Sequence, residues 1–180
     1  MTSTAESPDL RFPIGKRTTP ASFSGAWRAK AIATIAETPT NLRRAVGGLT
    51  EVQLDTPYRP GGWTVRQLVH HVADSHMNAY LRTRFALTEV NPAIKPYDEA
   101  TWAELADAKA MPVEPSLAII DALHARWVYL LKSMKPEQFA RTMFHPEHGE
   151  LTIDGLVSIY EWHGPHHTAH VTELRKRSGW

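Results

Sequence analysis

Cysteine is absent from all 180 residues, which removes disulfides and thiolate metal ligands from consideration. Long apolar runs are lacking too, and none approaches the roughly 18 residues that a membrane-spanning helix needs. Charge of one sign is missing as well. Lys and Arg number 20 against 19 Asp and Glu, a formal net charge of +1 with no long basic run. Neither nucleic acid nor an anionic membrane is therefore expected as a partner. No Walker-type loop, dinucleotide glycine motif, nucleophile elbow or HExxH is present. The opening MTSTAESPDL has no basic start and no apolar stretch, so no secretory signal is expected and a reducing cytoplasm fits.

What is there is histidine, ten of them, with six tryptophans, in a chain whose apolar fraction of 42% is ordinary for a soluble globular protein. The length suits one domain, residues 20–180, preceded by a Ser-, Thr- and Pro-rich arm over residues 1–19 whose inner LRFPIG is apolar enough to dock. Helical spacing predicts a first helix from about Pro20 to Ala45, through Phe23, Trp27, Ile32, Ile35 and Leu42, kinked at Pro39 and stopped at Gly47 and Gly48. Thr64 caps a second, to about Leu87, with Val65, Leu68, Val72, Ala79 and Ala86 on its apolar stripe. A connection over 91–115 holds a short helix around EATWAELADA. A third helix spans about 116–134, with Leu117, Ile120, Leu123, Trp127 and Leu130 on one face. After a helical turn at KPEQFAR, FHPEHGELT reads as a turn or short hairpin, and a fourth helix runs from about Ile153 to Lys176. Four long amphipathic helices without a strand pattern predict an all-α four-helix bundle.

The segment EWHGPHHTAH, residues 161–170, carries four histidines. On a helical wheel Ile153, Leu156, Tyr160, His163, His167, Val171 and Leu174 form the buried stripe. His163 and His167 stand one turn apart on that stripe, close enough to share one metal ion. His170 falls at its edge, and His166 points elsewhere, beside Ile159 and Trp162. The alternative is a pair of core histidines bonded to carbonyls. Pro165 removes a backbone bond between the two and predicts a kink. A third ligand must come from elsewhere. HHVADSH on the second helix offers His71, at the edge of its stripe, and His76, within it; His70 lies almost opposite. Geometry leaves His71 and His76 as rivals. Asp74 is read as an ordinary solvated carboxylate before an orienting one. HPEHGE offers His145, His148 and Glu150 as potential ligands, although in a turn they read first as polar surface.

GGWTVRQLVHHVADSH followed by WHGPHHTAHVTELRKRSGW resembles the DinB/YfiT-like superfamily, and LRFPIG with NPAIKPYDEATWAEL resembles its YfiT branch of metal-dependent hydrolases. The resemblance covers about residues 10–180. It implies an up-down-down-up bundle and one metal held by three histidines, one from the second helix and two from the last. Matching HVAD places the first on His71; matching HxxxH places the others on His163 and His167. It further implies a homodimer. Ile159 and Trp162 are candidates for that interface, with packing against the N-terminal arm as the other use for them.

Three neutral imidazoles leave the full ionic charge on the metal and a position open to water, a centre suited to hydrolysis of a small-molecule substrate. Zinc is the first expectation and nickel the second. A metal-dependent S-transferase using a low-molecular-weight thiol such as bacillithiol is the alternative, and a non-catalytic metal-binding protein a third. His166, His170, Glu161 and Asp74 are candidates for acid–base work by nearness in sequence only. Asp74, Glu161 and Glu173 are suspects for closing the metal's shell.

Overall fold

The computed structural model describes residues 9–147 and 149–180. Four long helices, α1 (Gly25–Val46), α3 (Val65–Thr88), α6 (Glu114–Ser133) and α7 (Ile153–Ser178), make the bundle. Between them lie α2 (Glu51–Leu54), α4 (Glu99–Ala103), α5 (Ala106–Ala110), a 3₁₀ turn at Pro136–Ala140, and a hairpin of β1 (Thr142–His145) and β2 (Gly149–Thr152).

Cross-helix contacts fix the directions. Arg28 meets Asp154, Thr38 faces Gly164, and Arg175 donates to the Ala45 carbonyl, so α1 and α7 are parallel. His70 meets Ser116, His76 meets His124 and Trp127 donates to Thr83, so α3 and α6 are parallel. His124 bonds to the Ile35 carbonyl while Arg43 pairs with Asp121, which sets α1 against α6. The order is up-down-down-up. The long 89–113 connection is what lets α6 return in the direction of α3.

Local chemistry explains the boundaries. Ser24 accepts from the Trp27 amide and caps α1, so that helix starts five residues after Pro20. Thr64 and Gln67 form a reciprocal capping box on α3, and Thr152 caps α7 through the Gly155 amide. EATWAELADA holds two short helices, α4 and α5, divided at Glu104 and Leu105. Helix α7 runs unbroken through Pro165. At Gly164 it touches α1 so closely that a Cβ would lie 2.3 Å from Thr38 Oγ1.

The interior is two apolar clusters with a polar belt between them. Ile35, Trp127, Met143 and Leu156 belong to one; Leu42, Leu68, Ile120 and Val171 belong to the other. Thr38 on α1, His76 on α3, His124 on α6 and the segment from His163 to His167 on α7 fall at the boundary.

Two stripes differ from expectation. On α6 the buried line is Leu117, Ile120, His124, Trp127 and Leu131, with Leu123 and Leu130 only partly buried. This is the alternating three-and-four spacing of a buried face, with a histidine occupying one place. On α3 the outer face is also covered. His70, placed by the wheel away from the core, is buried, donating to the Met111 carbonyl and accepting from Ser116. Arg66 on the same side bonds to Asp55, Glu51 and the Met111 carbonyl. The 89–113 connection, α2 with Asp55, and the start of α6 together supply this second layer. His145, expected at the surface, is likewise buried, while Glu150 is exposed and His148 lies outside the described residues.

Candidate metal centre

His71 on α3 and His163 and His167 on α7 bring donor nitrogens within 4.8 Å of one another. The i, i+4 spacing stacks the α7 pair, with ring centroids 4.4 Å apart, and the antiparallel approach of α3 sets His71 4.9 Å from the His167 ring. Trp63 packs on the other side of His71 at 4.6 Å. A tetrahedral ion with bonds of about 2.0–2.1 Å brings neighbouring nitrogens to about 3.3 Å, so small ring rotations would close the set.

Burial controls the charge state. It pushes the His71 imidazolium down to about 4 and those of His163 and His167 well below the ordinary histidine value, with the neighbouring histidines adding to the effect. The rings are therefore neutral at pH 7 and keep their lone pairs. His167 Nδ1 is buried with no hydrogen-bond partner among the described residues. A donor set of neutral imidazoles with an orphaned buried nitrogen fits a borderline divalent cation.

A second group, His166, His167 and His170, also lies within 4.8 Å. It draws on one helix only, and residues i and i+1 face apart. His170 donates from Nε2 to the Arg11 carbonyl, while its Nδ1 and that of His166 are, like that of His167, buried without a hydrogen-bond partner among the described residues. The group spanning α3 and α7 is the better built. His166, expected off the core, is buried under the segment around Phe12 and stacked on Trp162 at 3.9 Å. Trp162 itself donates to the Gly15 carbonyl and Ile159 packs on the core, so both are engaged within the chain. Of the rivals on α3, His71 is in the group, and His76 stands behind His163, 3.1 Å from its Nδ1. Asp74, Glu161 and Glu173 join neither group among the described residues.

The trio opens on a cleft of about 420 Å³ lined by Arg59, Trp63 and Glu99, among others. Glu99 and His163 also line a neighbouring cavity of about 620 Å³ that reaches Arg82, Tyr97 and Tyr160. Loss of solvent, followed by the charge of Asp98, raises the Glu99 carboxyl above its ordinary value. Sequence reasoning missed both Glu99 and His124. Nothing in EATWAEL marks that glutamate, whereas the spacing of α6 does mark the histidine.

The fold and the three imidazoles define a helical-bundle protein with a candidate mononuclear metal centre. The DinB superfamily profile matches residues 34–171, and the chain belongs to that superfamily. A relative from Bacillus mycoides (strain KBAB4), named "Putative metal-dependent hydrolase", is 52% identical over 96% of this chain and 99% of its own. A relative of the same name from Bacillus cereus (strain B4264) matches to the same extent. The solved structure of YfiT from Bacillus subtilis, described as a "probable metal-dependent hydrolase with an unusual four-helix bundle topology", is 48% identical with a TM-score of 0.92, covering 95% of this chain and 98% of that one. No helix among the described residues is long and apolar enough to cross a membrane.

Proposed function

We propose that this protein is a metal-dependent hydrolase in which His71, His163 and His167 hold one divalent ion, zinc in the first place and nickel in the second. The observation that carries the proposal is the convergence of three neutral imidazoles from two antiparallel helices at an open cleft. A bound ion would supply a Lewis acid and lower the pKa of water beside it. The chain's own residues do the rest. Trp63 packs against His71 and limits its rotation. Glu99, where cleft and cavity meet, is the carboxylate placed to exchange a proton with substrate, and its raised pKa suits that task. Arg82 also lines the cavity, where its guanidinium supplies positive charge facing a polar group of the substrate.

Metal analysis of purified protein tests the site. One ion per chain is expected in the wild type and in His70→Ala, and none in His71→Ala, His163→Ala or His167→Ala. A parallel screen of esters and amides, and of electrophiles with a small thiol, tests the reaction. Turnover only in the presence of thiol would replace hydrolysis by S-transfer. A homodimer belongs to the same proposal, supported by the exposed stripe Met77, Leu81 and Phe85 on α3. Light scattering at the monomer mass would reject it.

A further inference from the structure

His76 and His124 are fully enclosed, at 0% and 2% exposure, and the proposed reaction uses neither. Their nitrogens form an unbroken line. His124 Nδ1 lies 2.8 Å from the Ile35 carbonyl oxygen, His124 Nε2 lies 2.8 Å from His76 Nδ1, and His76 Nε2 lies 3.1 Å from His163 Nδ1. The line begins on α1, passes through α6 and α3, and ends on α7, so it ties all four bundle helices together.

Its origin is in the sequence. In an α-helix the carbonyl of residue 35 bonds to the amide of residue 39, and residue 39 is proline, which has none. The Ile35 carbonyl is thereby left to another donor, and His124 supplies it. A carbonyl can only accept, so His124 carries its proton on Nδ1. Burial pushes the His124 imidazolium down to about 4, so the line starts from a neutral ring whose Nε2 must accept. His76 then donates from Nδ1 and accepts at Nε2, and His163 donates from Nδ1. Each step follows from the one before, because a neutral imidazole has one donor and one acceptor.

We propose that Pro39, the Ile35 carbonyl, His124 and His76 form a relay that fixes His163 as the Nδ1–H tautomer and so leaves its Nε2, which has the Ser75 hydroxyl 3.5 Å away, as the lone pair a metal would take. His76 and His124 are positioning residues that act through His163. The tautomer exists without metal, and only its consequence for affinity rests on His163 being a ligand. Partners of this kind orient a ligating ring and raise its basicity, and their loss lowers metal affinity by about 10–100-fold.

Nitrogen-15 NMR of the metal-free protein reads the tautomer, and competition with a chelator reads the affinity for zinc. The wild type is expected to hold His163 as Nδ1–H, the reverse of the preference of a free histidine side chain. His76→Phe keeps a flat ring but removes both nitrogens. It should return His163 to the Nε2–H form and weaken zinc binding by about 10–100-fold. His76→Gln, whose amide oxygen can accept in place of Nε2, should restore most of the affinity, and His124→Phe should give a smaller loss in the same direction. A wild-type His163 in the Nε2–H form would overturn the relay. So would His76→Phe with tautomer and affinity unchanged, and both results leave the metal site standing. A wild type that takes up no zinc would remove the site instead, and the tautomer measurement would still decide the relay. If His76→Phe does not fold, the wild-type tautomer and His76→Gln decide it.

Discussion

Acidification should unfold the metal-free protein through its buried histidines. His71 and His124 are 5% and 2% exposed, and burial pushes both imidazoliums down to about 4. In an unfolded chain each would titrate near its ordinary value of 6.5. Between those two values the unfolded state binds more protons than the folded one. Stability is therefore complete above about 6.5 and declines as the pH falls through the window. At about 1.4 kcal/mol per pH unit, each ring accounts for about 3 kcal/mol. His166 and His170 are also held at about 4, and burial pushes His76, His163 and His167 well below the ordinary value. Asp74 acts in the opposite sense. Burial pushes its carboxyl up to about 6, so the folded state takes up that proton first, an offset of one ring at most. Domains of this size are stable by about 5–15 kcal/mol, so the depressed histidines together are comparable with the whole stability of the fold. Melting followed by circular dichroism should show Tm falling steadily from pH 6.5 toward 4.5, with more than two protons taken up on unfolding. A flat Tm over that interval would refute the reasoning. Saturating zinc should move the decline to lower pH, because coordination requires deprotonated ligands.

Three further outcomes follow from packing. Gly164→Ala puts a methyl 2.3 Å from Thr38 Oγ1 and 2.7 Å from its Cγ2, so denaturant unfolding should show a loss of about 1–3 kcal/mol, largely recovered by adding Thr38→Ala. Arg28→Met removes a two-pronged partner at 2.8 and 2.7 Å from the buried Asp154 carboxylate, and should cost about 2–4 kcal/mol by the same measurement. Arg11 lines the metal cleft and accepts from His170, so removing residues 1–19 should speed the loss of zinc to a chelator without changing its stoichiometry.

The pairing of His163 and His167 on the last helix was legible because these candidate ligands sit on its own apolar stripe, and the period of one helix is a local property. The same method failed on α6 for an instructive reason. Choosing Leu123 and Leu130 followed hydrophobicity, whereas the geometry runs through His124 and Leu131. The spacing marked His124 as an interior residue; its polarity hid it. On α3 the failure was of another kind. His70 and Arg66 both bond to the Met111 carbonyl, Arg66 also to Glu51 and Asp55 and His70 to Ser116, and no wheel drawn on α3 alone contains these partners.

The failure on α6 has its cause in the polar belt. A bundle core assembled for stability alone would run apolar from end to end, yet here Thr38, His76, His124 and the α7 histidines interrupt it at one level on all four helices. Each buried imidazole carries a desolvation cost, of about 1–3 kcal/mol where a nitrogen goes unpaired. The relay is the arrangement in which both nitrogens of His124 and of His76 find partners, ending at His163, a candidate ligand whose other nitrogen has only the Ser75 hydroxyl, at 3.5 Å, beside it among the described residues. Pro39 belongs to the same arrangement, because it frees the carbonyl that starts the line. A proline in the middle of one helix and a histidine in the middle of another look like independent faults in two amphipathic patterns. Their meaning lies in the packing of α1 against α6, which the pattern of neither helix records.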